Sequence, residues 1–173
     1  MRGDKAMKNS YQIRAKKTWE ALKPYLVGCT NLFKYERAVY RFNCDKHRNV
    51  YFCSGSTRIC FISADYVIKM DYDKDQVSIW GGCQSEYDNY DFACVNGCEG
   101  AFCPIEKIDE NVYVMPRAKI ADWDDESILD EFWRDCTDEE YWYVQENIKD
   151  IHNQNVGRYK GRVVLIDYAA CVN

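Results

Sequence analysis

Asp150, Asn155 and Asp167 are the residues whose types and spacing could do chemistry together. Asp150 and Asn155 stand five apart in Asp150-Ile151-His152-Asn153-Gln154-Asn155, directly after a stretch with helical texture. Asp167 ends the apolar run Val163-Val164-Leu165-Ile166, whose composition predicts a buried strand. Two carboxylates and an amide in this arrangement suit phosphoryl transfer. One carboxylate orients an acceptor hydroxyl and takes its proton, while the amide and the second carboxylate hold magnesium against phosphates. A hairpin is the economical way to bring Asn155 and Asp167 to one ion, because paired strands lie about 5 Å apart. Lys160-Gly161, between Val156–Tyr159 and the run ending at Ile166, supplies the turn.

The elements that must position these groups are readable from periodicity. Ala15, Trp19, Leu22 and Leu26 share one helical face, with Pro24 bending or ending the helix and Gly28 closing it. Leu32, Tyr35, Val39 and Phe42 predict a second helix. Short β-branched and aromatic runs follow at Asn49 to Ser54, Arg58 to Ile62 and Tyr66 to Met70, with turn signals between them, which predicts an antiparallel meander. Val77 to Trp80 is a short strand or part of a loop. Cys83 to Val95 predicts a helix with Tyr87, Tyr90 and Cys94 on one side, ended by Asn96-Gly97. Ile105 to Ile108 and Val112 to Met115 predict a hairpin that Pro116 stops. Asp124-Asp125 opens a helix carrying Ile128, Leu129, Phe132, Trp133 and Cys136. Thr137 and Glu140 form a capping box for the next, in which Tyr141, Val144 and Ile148 face inward. Trp123, Trp133, Trp142 and Tyr143 are expected to build the core of this helical part.

In this order the residues resemble the protein-kinase-like superfamily over about residues 48 to 169. Asp150 stands where the catalytic-loop Asp sits, Asn155 where the metal-binding Asn sits, and Asp167-Tyr168-Ala169 in the place of the Asp-Phe-Gly motif. The Asp-x-His-x-x-Asn form, with His152 orienting the loop, is similar to the aminoglycoside-phosphotransferase and atypical-kinase branch. Val67-Ile68-Lys69 resembles the third-strand motif, which implies that Lys69 reaches the α- and β-phosphates of ATP and that Glu86 pairs with Lys69. Gly55 and Ser56 fall where the glycine-rich loop covers the nucleotide, and Val112 to Arg117, with Met115, where the hinge meets the adenine edge. Glu86-Tyr87-Asp88-Asn89-Tyr90 and Val114-Met115-Pro116-Arg117-Ala118 are similar to segments of small phage-encoded kinase-like proteins.

The fold this implies is α+β: a minimal two-lobed kinase-like fold, with an antiparallel N-lobe sheet bearing one helix and a truncated, mainly helical C-lobe. Its expected parts are an N-terminal helical extension (1–47), an N-lobe (48–118) and a short C-lobe with the catalytic and metal-binding loops (119–173). The implied activity is ATP- and Mg2+-dependent phosphoryl transfer to a hydroxyl of a protein or small molecule. The sequence also departs from the family. Gly55 is the only one of the usual three glycines, Ile148-Lys149 replaces the His-Arg pair, and Ala169 replaces the motif glycine. The six residues after Asp167 provide no activation segment or peptide platform. These departures motivate a rival expectation: a catalytically weak or inactive viral binding protein that inhibits a host protein.

Composition narrows the classes. A chain of 173 residues that is 47% hydrophobic and 15% aromatic can build a core. A net charge of −5, with Lys and Arg dispersed, disfavours a nucleic-acid partner. No window approaches the ~18 apolar residues of a membrane span. Met1 to Ser10 lacks the apolar stretch of a secretory signal, so the expected setting is cytoplasmic (host cytoplasm if viral). The ten cysteines then read as reduced, packing as small hydrophobes. Cys83, Cys94, Cys98 and Cys103 invite a zinc reading, but their spacing is not that of paired Cys-x-x-Cys knuckles.

Overall fold

The computed structural model describes residues 3–55, 57–72, 81–122 and 124–169, with side chains from Tyr11 onward. Ser56, the strand or loop expected at Val77 to Trp80, Trp123 and Cys171 lie outside the described residues.

Helix α1 (Gly3–Leu26) ends just after Pro24, and Gly28 follows in the left-handed region at φ 77°. Helix α2 (Leu32–Lys46) begins at Asn31, whose side chain accepts the Lys34 N–H, and ends at left-handed His47. The next three strands are β1 (Tyr51–Ser54), β2 (Arg58–Ile62) and β3 (Tyr66–Asp71). Helix α3 (Cys83–Val95) leads to the hairpin of β4 (Glu106–Asp109) and β5 (Val112–Pro116). Together the strands form an antiparallel sheet in the order β1-β2-β3-β5-β4. β3 therefore lies at its centre, not at an edge.

Strand alternation divides this sheet into two faces. Phe52, Ile59, Phe61, Ile68, Val112 and Val114 point to one side and pack against Ala15, Trp19, Leu22, Val39 and Phe42 of α1 and α2. Full burial of each such large side chain contributes about 1.5–3 kcal/mol. Cys60, Val67, Lys69, Tyr113 and Met115 alternate with them and point to the other side. Tyr113 and Met115 join a second core there, which runs from α3 into the remaining elements.

Those elements are β6 (Lys119–Ile120), α4 (Ser127–Asp135), α5 (Asp138–Asn147), β7 (Val156–Tyr159) and β8 (Arg162–Leu165), with a three-stranded sheet β6-β7-β8. The overall class is α+β, with both sheets antiparallel, consistent with the small kinase-like fold expected. The capping box is present: Thr137 Oγ1 accepts from Glu140 N at 3.2 Å, and Glu140 Oε2 accepts from Thr137 N at 2.9 Å.

One helix face differs from the sequence expectation. Tyr141 is 38% exposed and packs edge-on to Trp133, because the inward row of α5 is Glu140, Val144 and Ile148. Glu140 can occupy that row because Arg162 pairs with it at 2.7 Å. On α3 the buried residues are Cys83, Glu86 and Ala93. Trp142 is likewise 64% exposed rather than part of the core.

Candidate functional site

The cleft side of the large sheet carries a buried charge cluster. Lys69 enters from central strand β3 and is 6% exposed, while Glu86 on α3 is fully buried. Lys69 Nζ donates to Glu86 Oε1 at 2.9 Å, to Glu86 Oε2 at 3.0 Å and to Ile166 O at 2.7 Å. All three ammonium protons thus have acceptors. Burial acts to lower the Lys69 pKa, but the Glu86 and Asp167 carboxylates outweigh it and the net shift is upward.

Helix α3 is set by its first turn. Asp71, at the end of β3, accepts the Cys83 N–H at 2.9 Å, where a carboxylate suits the positive end of a helix. Gly82 permits that approach, since a Cβ there would stand 2.6 Å from Asp71 Oδ2. One turn on, Glu86 arrives over Lys69.

Asp167 reaches the same cluster from beyond β8. Arg58 on β2 donates to Asp167 Oδ1 at 2.5 Å and lies 3.0 Å from Glu86 Oε2 through its other terminal nitrogen. The Tyr168 N–H donates to Glu86 Oε1 at 3.2 Å, and the Tyr168 hydroxyl donates to Cys103 O at 2.6 Å. Burial acts to raise the Asp167 pKa, but Lys69 and Arg58 outweigh it and hold the carboxyl below the ordinary aspartate range. Four alternating charges, Lys69, Glu86, Arg58 and Asp167, therefore close on one another. Arg58 has no place in the sequence expectation. The signal for it was the alternation Arg58, Cys60, Ile62 against buried Ile59 and Phe61 on β2, but only the pairing register puts Arg58 beside Lys69.

The hairpin brings Asn155 alongside. Val156 pairs with Leu165, and Asn155 continues that ladder by accepting the Ile166 N–H at 2.8 Å. Its side-chain amide donates to Asp150 O at 3.0 Å, so the loop is tied to the strand that ends at Asp167. Lys69, Met115, Asn155 and Asp167 line one cavity of about 570 Å3, together with Cys53 and Cys60. This size lies within the range of small-molecule sites, roughly 300–1,000 Å3.

The other expected residues are placed differently. The Asp150 side chain is 63% exposed and does not line the cavity. His152 Nε2 lies 3.5 Å from Asp150 Oδ1, while His152 Nδ1 accepts the Gln154 N–H at 3.2 Å, which puts the ring proton on Nε2. Gly55 sits in the β1–β2 turn, its N–H donating to Arg58 O at 2.8 Å, and it is not among the cavity residues. Of the expected hinge, Val112 to Arg117, the cavity receives Met115, Pro116 and Arg117. Val112, Tyr113 and Val114 pair with both β3 and β4, so the cleft edge is Met115 to Ala118.

A hard divalent cation such as Mg2+ takes oxygen ligands, retains waters and needs only one or two protein groups. The donors present, the Asn155 amide oxygen and an Asp167 carboxylate that also meets Arg58 and the Ala169 N–H, fit that requirement. Among the described residues no group of three or more His, Cys, Asp or Glu gathers as a metal cage, and nine cysteines stand outside any disulfide. Among the described residues no helix is long and apolar enough to cross a membrane.

No family model and no curated protein matches this chain. Among solved structures, the ternary complex of streptomycin, ATP and APH(2″)-IIa aligns with 16% identity and a TM-score of 0.33, over 54% of this chain. The aligned part spans 32% of that chain, well short of its length.

Proposed function

We propose that this chain is a phosphotransferase of kinase-like type that binds ATP with Mg2+ in the cleft and phosphorylates a hydroxyl of a protein or small molecule. The observation that carries the reading is the buried Lys69–Glu86 pair at the wall of a cavity that also receives Asn155 and Asp167. Burying an ion pair gives little net stability against an apolar alternative, so structure alone does not account for it. An anionic ligand does. Lys69 is aimed by Glu86 and would exchange its bond to the Ile166 carbonyl for a phosphate oxygen. Arg58 adds a second fixed cation. Asn155 and Asp167 would hold the metal, whose role is to neutralise charge on the transferring phosphoryl group. Asp150 would accept the proton of the acceptor hydroxyl, and its exposure leaves room for a substrate. Met115 and the chain after it would line the base.

The test is binding first and transfer second. ATP with Mg2+ at about 100 times its Kd stabilises the native state by about 2.7 kcal/mol. Lys69→Met should abolish that shift. Radiolabel transfer from ATP to an acceptor should disappear in Asp150→Asn and Asp167→Asn. A wild-type chain that shows no ATP-dependent shift at millimolar concentration would sink the reading.

Arg58 favours a second reading, that of a binding protein with little or no catalysis which acts on a host protein. Its guanidinium occupies one oxygen of the carboxylate a metal needs. If that contact persists, ATP binding will be the same with and without Mg2+, and Arg58→Leu will restore metal dependence.

A further inference from the structure

Two thiols face one another inside the cleft. Cys53 on β1 and Cys60 on β2 are direct partners in the ladder, so their side chains emerge on the same face of the sheet. That face is the cavity side, where both line the wall with Lys69. Directly opposed residues of an antiparallel pair have Cα atoms about 4.5–5.5 Å apart. A disulfide spans Cα separations of about 4.4–6.8 Å, so the bond can form without moving the strands apart.

The two cysteines differ in a way that suits sequential chemistry. Cys53 is exposed and open to a small oxidant; Cys60 is half-buried behind it. A hydrogen bond from Cys60 lowers the Cys53 pKa to about 7; burial opposes this and Lys69 assists it. The same hydrogen bond, reinforced by burial, pushes Cys60 well up. Cys44 and Cys94 are also exposed, but neither has a cysteine as its partner in a ladder.

We propose that Cys53 and Cys60 form a peroxide-responsive dithiol at the mouth of the cleft, which closes to a disulfide. The Cys53 thiolate attacks a hydroperoxide, forming an S–O bond as the O–O bond breaks and releasing hydroxide or the alkoxide. Cys60 then attacks the sulfur of the sulfenic acid. The S–S bond forms, the S–O bond breaks, and the Cys60 proton leaves with the departing hydroxide as water. In sum two thiols are oxidised by two electrons and one peroxide is reduced.

The full-length reduced chain is treated with stoichiometric hydrogen peroxide at neutral pH, digested without reductant and analysed by mass spectrometry. The expected result is a dominant Cys53–Cys60 cross-linked peptide that dithiothreitol removes. Cys60→Ser should leave Cys53 as a sulfenic acid that dimedone traps, and Cys53→Ser should give no cross-link. Without oxidant, iodoacetamide should label Cys53 roughly tenfold faster than Cys44 or Cys94 at pH 7, as a thiolate-rich cysteine does. Oxidation scattered over Cys44 and Cys94 without the cross-link, or labelling of Cys53 at their rate, would overturn the proposal. A further arm rests on the nucleotide reading: ATP with Mg2+ should slow labelling of Cys53. Failure of that arm alone counts against the nucleotide, not the dithiol.

Discussion

The two faces of the five-stranded sheet share one backbone and differ in everything else. Toward α1 and α2 the strands present Ile59, Phe61, Ile68 and Val114, all fully buried and apolar. Toward the cleft the same strands present Arg58, Cys60 and Lys69, and the charges there are closed by Glu86 and Asp167 from outside the sheet. Adjacent residues Ile68 and Lys69 therefore answer to different physics. The first is held by the hydrophobic effect and tolerates any shape that fills its space. The second is held by partners whose removal leaves an uncompensated charge. The dry face confers stability, and the charged face spends some of it on a site.

The comparison is best broken at Glu86. Glu86→Ala would leave Lys69 and Arg58 buried together without their shared carboxylate. The expected loss is about 3–5 kcal/mol, read from the urea midpoint at unchanged slope. A loss under about 1 kcal/mol would show that water relieves the cluster and that the charged face is not a desolvated one.

Ile68→Ala tests the opposite face, one residue from Lys69. It should cost about 2–5 kcal/mol through the cavity left against the helices. Nucleotide affinity, measured by titration below the melting range, should remain at the wild-type value. A parallel fall in affinity would mean that the two faces are coupled through β3.

Acid should act on the charged face through Asp167. The Asp167 carboxyl lies below its unfolded range, so its contribution is complete above about pH 4 and is lost as pH falls through the lowered folded value. The melting temperature should drop as pH falls below about 4, and Asp167→Asn should blunt part of that drop. An identical acid profile in the variant would remove Asp167 from the account.

The smallest effect is expected at Asp150, which belongs to neither face. With its side chain 63% exposed, Asp150→Asn should change stability by no more than about 0.5 kcal/mol. The same variant is expected to lose phosphoryl transfer, so the two measurements together separate a chemical role from a structural one.

Much of this was legible in the chain. The order of strands, the helix between β3 and β4, and the capping box at Thr137 follow from local signals that the tertiary structure had no reason to override. Helix faces were less legible where a buried acid took part. Tyr141 reads as inward where Glu140 does not, and only a partner distant in sequence makes that carboxylate acceptable in a core. Which residues of Val112 to Arg117 reach the cavity was not legible, because pairing of Val112 to Val114 on both sides depends on where β4 docks.

By itself the sequence determined the periodicities, and with them which residues must share a face: Arg58 with Cys60, Ile68 with Val114 once paired, and Asp167 at the exit of an apolar strand. Only the tertiary structure decided which faces meet. Register set Cys53 opposite Cys60, and packing brought Arg58 to Asp167 across 109 residues of chain. The reason is physical. Periodicity is a property of local backbone geometry, whereas an ion pair or a facing pair of thiols exists only where separate elements have buried enough apolar surface to be held together.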